Sequence, residues 1–214
     1  MQMNKSFIFF VVLFLLNGCL KPPKESNKLP SELVELIDLD SSIHLDIKYA
    51  TKENLVGKPV YAQARPFLQK PAALSLINAN KYLQTKGYGL LVFDGYRPWS
   101  VTKTFWQKTS EANKKFVADP RKGSRHNRGC AIDLTLYDLN TGIEIPMPGT
   151  YDEMSERSYP NYTGGTAVQT AMRDMLRAAM EAEGFTVYDY EWWHFDYKDW
   201  RQYPILNIPF ESIP

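Results

Sequence analysis

Three short stretches hold the residues with which this chain could do chemistry. The run Ser124-Arg125-His126-Asn127-Arg128-Gly129-Cys130-Ala131-Ile132-Asp133 offers an imidazole and, seven positions on, a carboxylate. Glu191-Trp192-Trp193-His194 offers a second imidazole with a glutamate three residues before it. The chain has only three histidines, and two of them fall in these runs. Two imidazoles and one carboxylate are borderline-hard ligands that suit zinc. Three protein ligands with a water in the fourth place make a catalytic site, whereas structural zinc sites are closed by four. Glu191, next to a ligand, stands where a general base would take a proton from water activated by the metal. The His-Glu-x-x-His helix of many zinc peptidases is absent, so the spacing describes another kind of site. The third stretch, Asp94-Gly95-Tyr96-Arg97-Pro98, puts Arg97 in a loop after an apolar strand, where a fixed guanidinium could stabilise the oxyanion of a tetrahedral intermediate.

Each residue alone has a plainer reading. His126 could be a structural or surface histidine, Arg97 a surface ion pair, and Glu191 a solvated acid. His44, between Ile43 and Leu45 on the polar face of an alternating segment, reads as a solvated histidine. Cys130 is the rival to Asp133 as a ligand. Strand parity argues against it, because Cys130 shares a face with the apolar Ile132 and Leu134, and Asp133 points the other way.

The elements that must position these groups can be read from period and punctuation. Ile43 to Tyr49 alternates apolar and polar residues, which predicts a half-buried strand. Residues 50–61 read as loop. Pro71 to Lys86 is a helix between a proline near its start and Gly87 at its end. Tyr88 to Phe93 is a short apolar strand, and helical character returns over Trp99 to Lys108. Asn127 to Gly129 form a turn, followed by a strand from Cys130 to Leu136. Residues 138–165, rich in Gly, Pro, Asn and Tyr, form a long irregular excursion of the sort that is usually functional. Thr166 to Glu183 has an apolar stripe at helical spacing and ends at Gly184. Phe185 to Tyr188 is a strand leading into Glu191–Trp193, and the proline-bearing C-terminus is irregular.

Composition limits the classes. The 214 residues carry 25 basic and 24 acidic side chains, with 44% hydrophobic residues. This is a globular chain long enough for one substantial core. Near-neutral charge argues against a nucleic-acid surface, which would need a basic face. Residues 1–18 hold one charge, Lys5, and an unbroken apolar run from Phe7 to Leu16. That run is too short for a stable membrane span and fits a signal segment. Leu16-Asn17-Gly18-Cys19 follows and resembles the lipobox of bacterial lipoproteins, in which the cysteine is diacylated and becomes the first mature residue. Leu20 after it, in place of an aspartate, implies the outer membrane, with acyl chains as anchor. Lys21 to Lys28 reads as a polar, proline-rich tether. The expected organisation is a signal segment 1–18, a lipidated cysteine and tether 19–32, and a catalytic domain 33–214. With Cys19 lipidated, Cys130 has no intrachain disulfide partner.

The motifs together resemble the D-alanyl-D-alanine dipeptidase family of zinc peptidases, that of the vancomycin-resistance dipeptidase. The resemblance is carried by Asp46-Ile47-Lys48-Tyr49-Ala50-Thr51 with Asn54 and Gly57, by Asp94–Pro98, by Ser124-x-His126-x-x-Gly129-x-Ala131-x-Asp133, by Gly149-Thr150-x-Asp152-x-Met154-Ser155, and by Glu191–His194. They run in order from about residue 40 to about 205. The resemblance implies an α+β fold with a central, mainly antiparallel sheet flanked by helices, shared with D,D-carboxypeptidases and Hedgehog signalling domains. It implies one zinc ion on His126, Asp133 and His194, Glu191 as catalytic base, and Arg97 at the transition state. Ser124 and Asp152 would hold the dipeptide, with Asp152 near its free ammonium. The expected substrate is D-Ala-D-Ala and the expected place the periplasmic side of the cell envelope. A peptidoglycan carboxypeptidase or endopeptidase with the same zinc set is the nearest rival, and a non-catalytic zinc-stabilised binding module the rival from another class.

Overall fold

The computed structural model describes residues 21–54 and 56–214; the expected lipidation site, Cys19, lies outside them. Within the described region a proline-rich segment leads into strand β1 (Leu33–Glu35) and one helical turn, α1 (Leu36–Leu39). A two-residue strand, β2 (His44–Leu45), follows. Strand β3 (Phe67–Gln69) pairs antiparallel with β1 in a small separate sheet and runs directly into helix α2 (Lys70–Gln84). Then come β4 (Tyr88–Asp94), α3 (Trp99–Lys108), β5 (Ala131–Asp138), α4 (Ala167–Ala182), β6 (Phe185–Tyr188) and β7 (Glu191–Tyr197).

The main sheet has the order β2-β4-β5-β7-β6. Only the β2–β4 pair is parallel; the others are antiparallel. This is the α+β architecture expected from the sequence. Alternation places Ile132, Leu134 and Leu136 of β5 in the core with no measurable exposure, beside Leu90, Val92 and Phe195. Helices α2 and α4 pack on each other and against these strands. The strong stripe of α4 buries Leu176, Ala179 and Met180. Its start is fixed by a reciprocal cap: the Thr166 hydroxyl accepts from the Gln169 backbone N–H and the Gln169 side chain accepts from that of Thr166, which satisfies two donors that the first helical turn leaves free.

Three expectations change in three dimensions. The alternating segment 43–49 is not one strand. It pairs with β4 only over His44 and Leu45, with a further bond from the Asp46 N–H to the Val92 carbonyl, then turns as a 3₁₀ helix over Lys48–Ala50. That turn carries Tyr49 into an aromatic cluster with Tyr61 and Phe105. His44 stays exposed and stacks on the Tyr137 ring at 3.7 Å. The strand read over Phe185–Tyr188 leads into a second strand, Glu191–Tyr197, which pairs with both β5 and β6. The segment read as a tether lies on the domain from Glu25 onward. The Glu25 carboxylate takes two 2.9 Å bonds from the Arg128 guanidinium and one from the Ile205 N–H, and the Leu29 N–H donates to the Gln202 carbonyl. A charged residue in a polar run gains this place through partners far along the chain. Among the described residues no helix is long and apolar enough to cross a membrane.

Candidate active site

Three strands set one row of side chains across the sheet. Asp94 of β4 stands opposite Asp133 of β5, and Asp133 stands opposite His194 of β7. Regular pairing from Val92 and Leu134 would put Phe93 opposite Asp133. A register shift between Val92 and Asp94 brings Asp94 there instead; a bulge of this kind re-aims side chains beside functional sites. His126 reaches the row from the turn before β5. Gly129 closes that turn with φ of +65°, and a Cβ there would lie 2.5 Å from Leu33 and 3.2 Å from the Gln69 nitrogen. Glycine is the residue that takes this left-handed conformation without a steric cost.

The three expected ligands meet. His126 Nε2 lies 3.1 Å from His194 Nδ1, and Asp133 Oδ1 lies 2.9 Å from His194 Nδ1 and 3.3 Å from His126 Nε2. All three residues are buried. The remaining ring nitrogens have partners of their own: His126 Nδ1 donates to the Gly95 carbonyl at 2.7 Å and His194 Nε2 to Asp196 Oδ1 at 3.0 Å. Those bonds fix the tautomers and leave two lone pairs and a carboxylate oxygen facing one another. Only a proton or a cation between them relieves that arrangement. Ligands about 2.0–2.2 Å from a tetrahedral zinc lie roughly 3.3–3.6 Å apart, within a few tenths of an ångström of these separations, so the donor set fits the ion. Cys130 is remote from this chemistry. It is fully buried in the core, its sulfur faces the Arg128 carbonyl, and burial pushes its thiol up to about 12.

Electrostatics follow from burial and charge. Burial alone would raise the Asp133 carboxyl, but His126 and His194 hold it well below the usual carboxylate range. Burial would lower His194, yet Asp196 and Asp133 push it up to about 10. Glu191, whose Oε2 lies 3.8 Å from His194 Nδ1, is pushed up to about 8 by burial, with Asp133 and Asp152 adding to the shift and His194 opposing it. A bound divalent cation would favour the ionised form of a carboxylate this close.

Arg97 is held by a residue that pattern reading did not assign. Asp94, fully buried, accepts from Arg97 Nε at 3.0 Å and Nη2 at 2.7 Å, and from the Tyr61 hydroxyl. Arg97 Nη2 lies 3.9 Å from Asp133 Oδ2. Asn127 ties the two loops together: its amide donates to the Arg97 carbonyl and to Thr102 Oγ1, and its oxygen accepts from the Ser124 N–H. Asp94 was visible as an acid three residues before Arg97. Asp196, which orients His194, was visible as an acid two residues after it. Tyr151, whose hydroxyl donates to Asp133 Oδ2 at 3.1 Å, gave no local signal.

Asp152 enters from the irregular excursion with φ of +57°, a left-handed conformation that costs most residues energy and that Asp and Asn tolerate best. The Tyr49 hydroxyl donates to it at 2.9 Å. Burial and Asp133 push its carboxyl up to about 7, against that hydrogen bond. Ser124 is buried, and its hydroxyl accepts from the His126 N–H at 3.2 Å. Arg97, Ser124, Asp152 and Glu191 all line the same cavity of about 560 Å³ as the three ligands.

A buried His-Asp-His set at the base of a cleft, with a carboxylate and a clamped arginine beside it, defines a metallohydrolase. The family model for peptidase M15, described as D-ala-D-ala dipeptidase, matches residues 30–211. The chain is 36% identical over 183 residues to the D-alanyl-D-alanine dipeptidase of Escherichia coli (strain K12), covering 86% of this chain and 93% of that protein. It is 38% identical over 190 residues to the D-alanyl-D-alanine dipeptidase of Enterococcus faecium, covering 78% and 92%. Among solved structures, the LdcB LD-carboxypeptidase aligns with 69% of this chain and 70% of its own at 22% identity and a TM-score of 0.43. The vancomycin-resistance D,D-dipeptidase VanXYg, in complex with a D-Ala-D-Ala phosphinate analogue, covers 66% and 52% at 21% identity and a TM-score of 0.39. The chain belongs to the peptidase M15 family of D-Ala-D-Ala dipeptidases, and it is a metallopeptidase.

Proposed function

We propose that this protein hydrolyses D-Ala-D-Ala to two D-alanines, with one zinc ion held by His126, Asp133 and His194. The observation that carries the reading is the convergence of three buried ligand atoms in the cavity that also holds Glu191, Arg97 and Asp152. Zinc bound there supplies Lewis acidity toward water and the scissile carbonyl. Glu191 takes the proton of the attacking water and returns it to the leaving amine nitrogen. Arg97, clamped by Asp94, meets the negative charge that develops on the carbonyl oxygen. Asp152, pinned by Tyr49, pairs with the free ammonium, and Ser124 contributes a hydroxyl to the bound dipeptide. A carboxylate for the ammonium favours a free dipeptide over an internal peptide bond. Zinc analysis combined with hydrolysis of D-Ala-D-Ala, L-Ala-L-Ala and a muropeptide tests the reading. The expected result is about one zinc per chain, as for a three-ligand catalytic site, with cleavage of D-Ala-D-Ala. Cleavage of the muropeptide alone would make the enzyme a peptidoglycan peptidase, and zinc without hydrolysis would make it a binding module.

We further infer that residues 1–18 are a signal segment and that Cys19 is diacylated, anchoring the domain to the outer membrane on its periplasmic side. Leu16-Asn17-Gly18-Cys19 supports this reading. The substrate would then be free dipeptide released during cell-wall turnover. Cys19→Ser is expected to leave an unprocessed precursor, and equal processing and membrane partition of the two proteins would refute the anchor.

A further inference from the structure

Arg125, between Ser124 and the ligand His126, lines the cavity and has no assigned task. Its guanidinium lies against two rings, 4.9 Å from the centre of Trp200 and 5.5 Å from that of Tyr188. Its Nε is buried without a hydrogen-bond partner, and its nearest carboxylate, Asp196 Oδ2, is 3.4 Å away. Asp196 gives its other oxygen to His194. The other arginines lining the cavity have their forks filled. Arg97 is bound to Asp94, and Arg128 is bound to Glu25 and the Tyr203 carbonyl. Lys114 is also engaged, with its ammonium on the Trp106 carbonyl and 4.1 Å from the Trp106 ring centre.

Arg125 and Asp152 fall on different sides of His194. The Nδ1 side of that ring faces Asp133, near Arg97, and Asp152 is pinned by Tyr49, over whose ring Arg97 lies. The Nε2 side faces Asp196 and Arg125. Tyr188 touches both Arg125 and His194, its ring 5.4 Å from the imidazole. The cavity therefore holds a carboxylate toward one end and, toward the other, a guanidinium that makes no hydrogen bond and has Asp196 as its ion-pair partner at 3.4 Å, with the expected metal ligands between. A free dipeptide is a zwitterion whose two charges flank its single peptide bond. A planar fork held by aromatic rings is suited to bind a carboxylate in a bidentate way.

We propose that Arg125 receives the C-terminal carboxylate of the substrate and sets the requirement for a free C-terminus. The proposal rests on the dipeptidase reading above. It is tested with wild type, Arg125→Ala and Arg125→Lys on D-Ala-D-Ala and on D-Ala-D-Ala amide, with zinc content and thermal midpoint measured on the same preparations. Wild type is expected to prefer the free acid. Arg125→Ala should lose roughly ten- to a hundredfold in kcat/KM on the acid, mainly through KM, and little on the amide, with zinc retained. Arg125→Lys keeps the charge without the fork and should fall between; it carries the comparison if the alanine variant does not fold. Equal losses on acid and amide, or loss of zinc, would make Arg125 a support for Asp196 and His194 and overturn the proposal. Wild type that cleaves acid and amide alike overturns it and leaves the dipeptidase reading standing. Wild type that cleaves neither removes both.

Discussion

Glu191 and Asp94 show how two carboxylates in one site divide the work by their surroundings. Glu191 lies beside His194 yet is not needed to complete the three-ligand set. Glu191→Gln keeps size and polarity and removes the base, so zinc should stay while kcat falls about 10²–10⁴-fold, with KM changing much less. Metal analysis and kinetics on one preparation check this; a variant that loses its zinc would make Glu191 a ligand. Asp94 acts through its neighbour. Buried and bound twice to Arg97, it holds the guanidinium at one place and angle. Asp94→Asn keeps one acceptor and loses the charge. We expect kcat to drop by about tenfold or more with zinc retained, since a buried charge-assisted pair contributes more than a neutral hydrogen bond. If Arg97→Ala and Asp94→Asn combine additively in kcat, the two residues do not act as a unit.

At the scale of elements, strand pairing and caps do separate jobs. The bulge at Phe93 and the left-handed Gly129 both serve the ligand row, one by bringing Asp94 into it and the other by turning His126 toward it. Helices α2 and α4 pack on each other and on the sheet and contribute no residue to the cavity, whereas α3 supplies Phe105 and Trp106 to its lining. Stability and activity should therefore separate at the α4 cap. Thr166→Ala removes the reciprocal cap with Gln169 and should cost about 0.5–2 kcal/mol, a shift of roughly 2–4 °C in Tm per kcal/mol at this chain length. Its kcat and KM should match wild type. Calorimetry beside a kinetic assay decides, and a kinetic defect at unchanged Tm would mean that α4 reaches the site.

The whole molecule carries a pH dependence that metal controls. In the metal-free protein Glu191 and Asp152 titrate at about 8 and about 7, against about 4 for such groups in an unfolded chain. The folded state then holds more protons than the unfolded one, so this contribution is lost as pH rises through those values. His194, raised to about 10, stabilises fully below its unfolded value of about 6.5 and loses that contribution as pH rises through 10. Asp133, held low, has the opposite sign and matters only in acid. Between pH 7 and 10 every changing contribution named here falls. The Tm of chelator-treated protein should decline across that window. Glu191→Gln should decline less, and zinc should flatten the curve by taking the proton's place among the ligands. A rising Tm in the chelated protein would contradict these charge assignments.

Part of this site is legible from a few neighbouring residues at a time. Gly87 and Gly184 marked where two helices end, alternation after Gly129 predicted a strand with Asp133 and Ile132 on opposite faces, and residue chemistry singled out His126, Asp133 and His194, whose side chains converge. These signals depend on a few neighbouring residues, and so they survive in a string of letters. Tertiary structure alone decided the rest. It aligned Asp94 with Asp133, set the imidazole tautomers through the Gly95 carbonyl and Asp196, turned Tyr49 toward Asp152, and laid Glu25 on Arg128. Except for the bond between His194 and Asp196, each of these joins residues that lie well apart in the chain. The pairing that joins them depends on strand register and packing, which the core settles as a whole and no single stretch encodes.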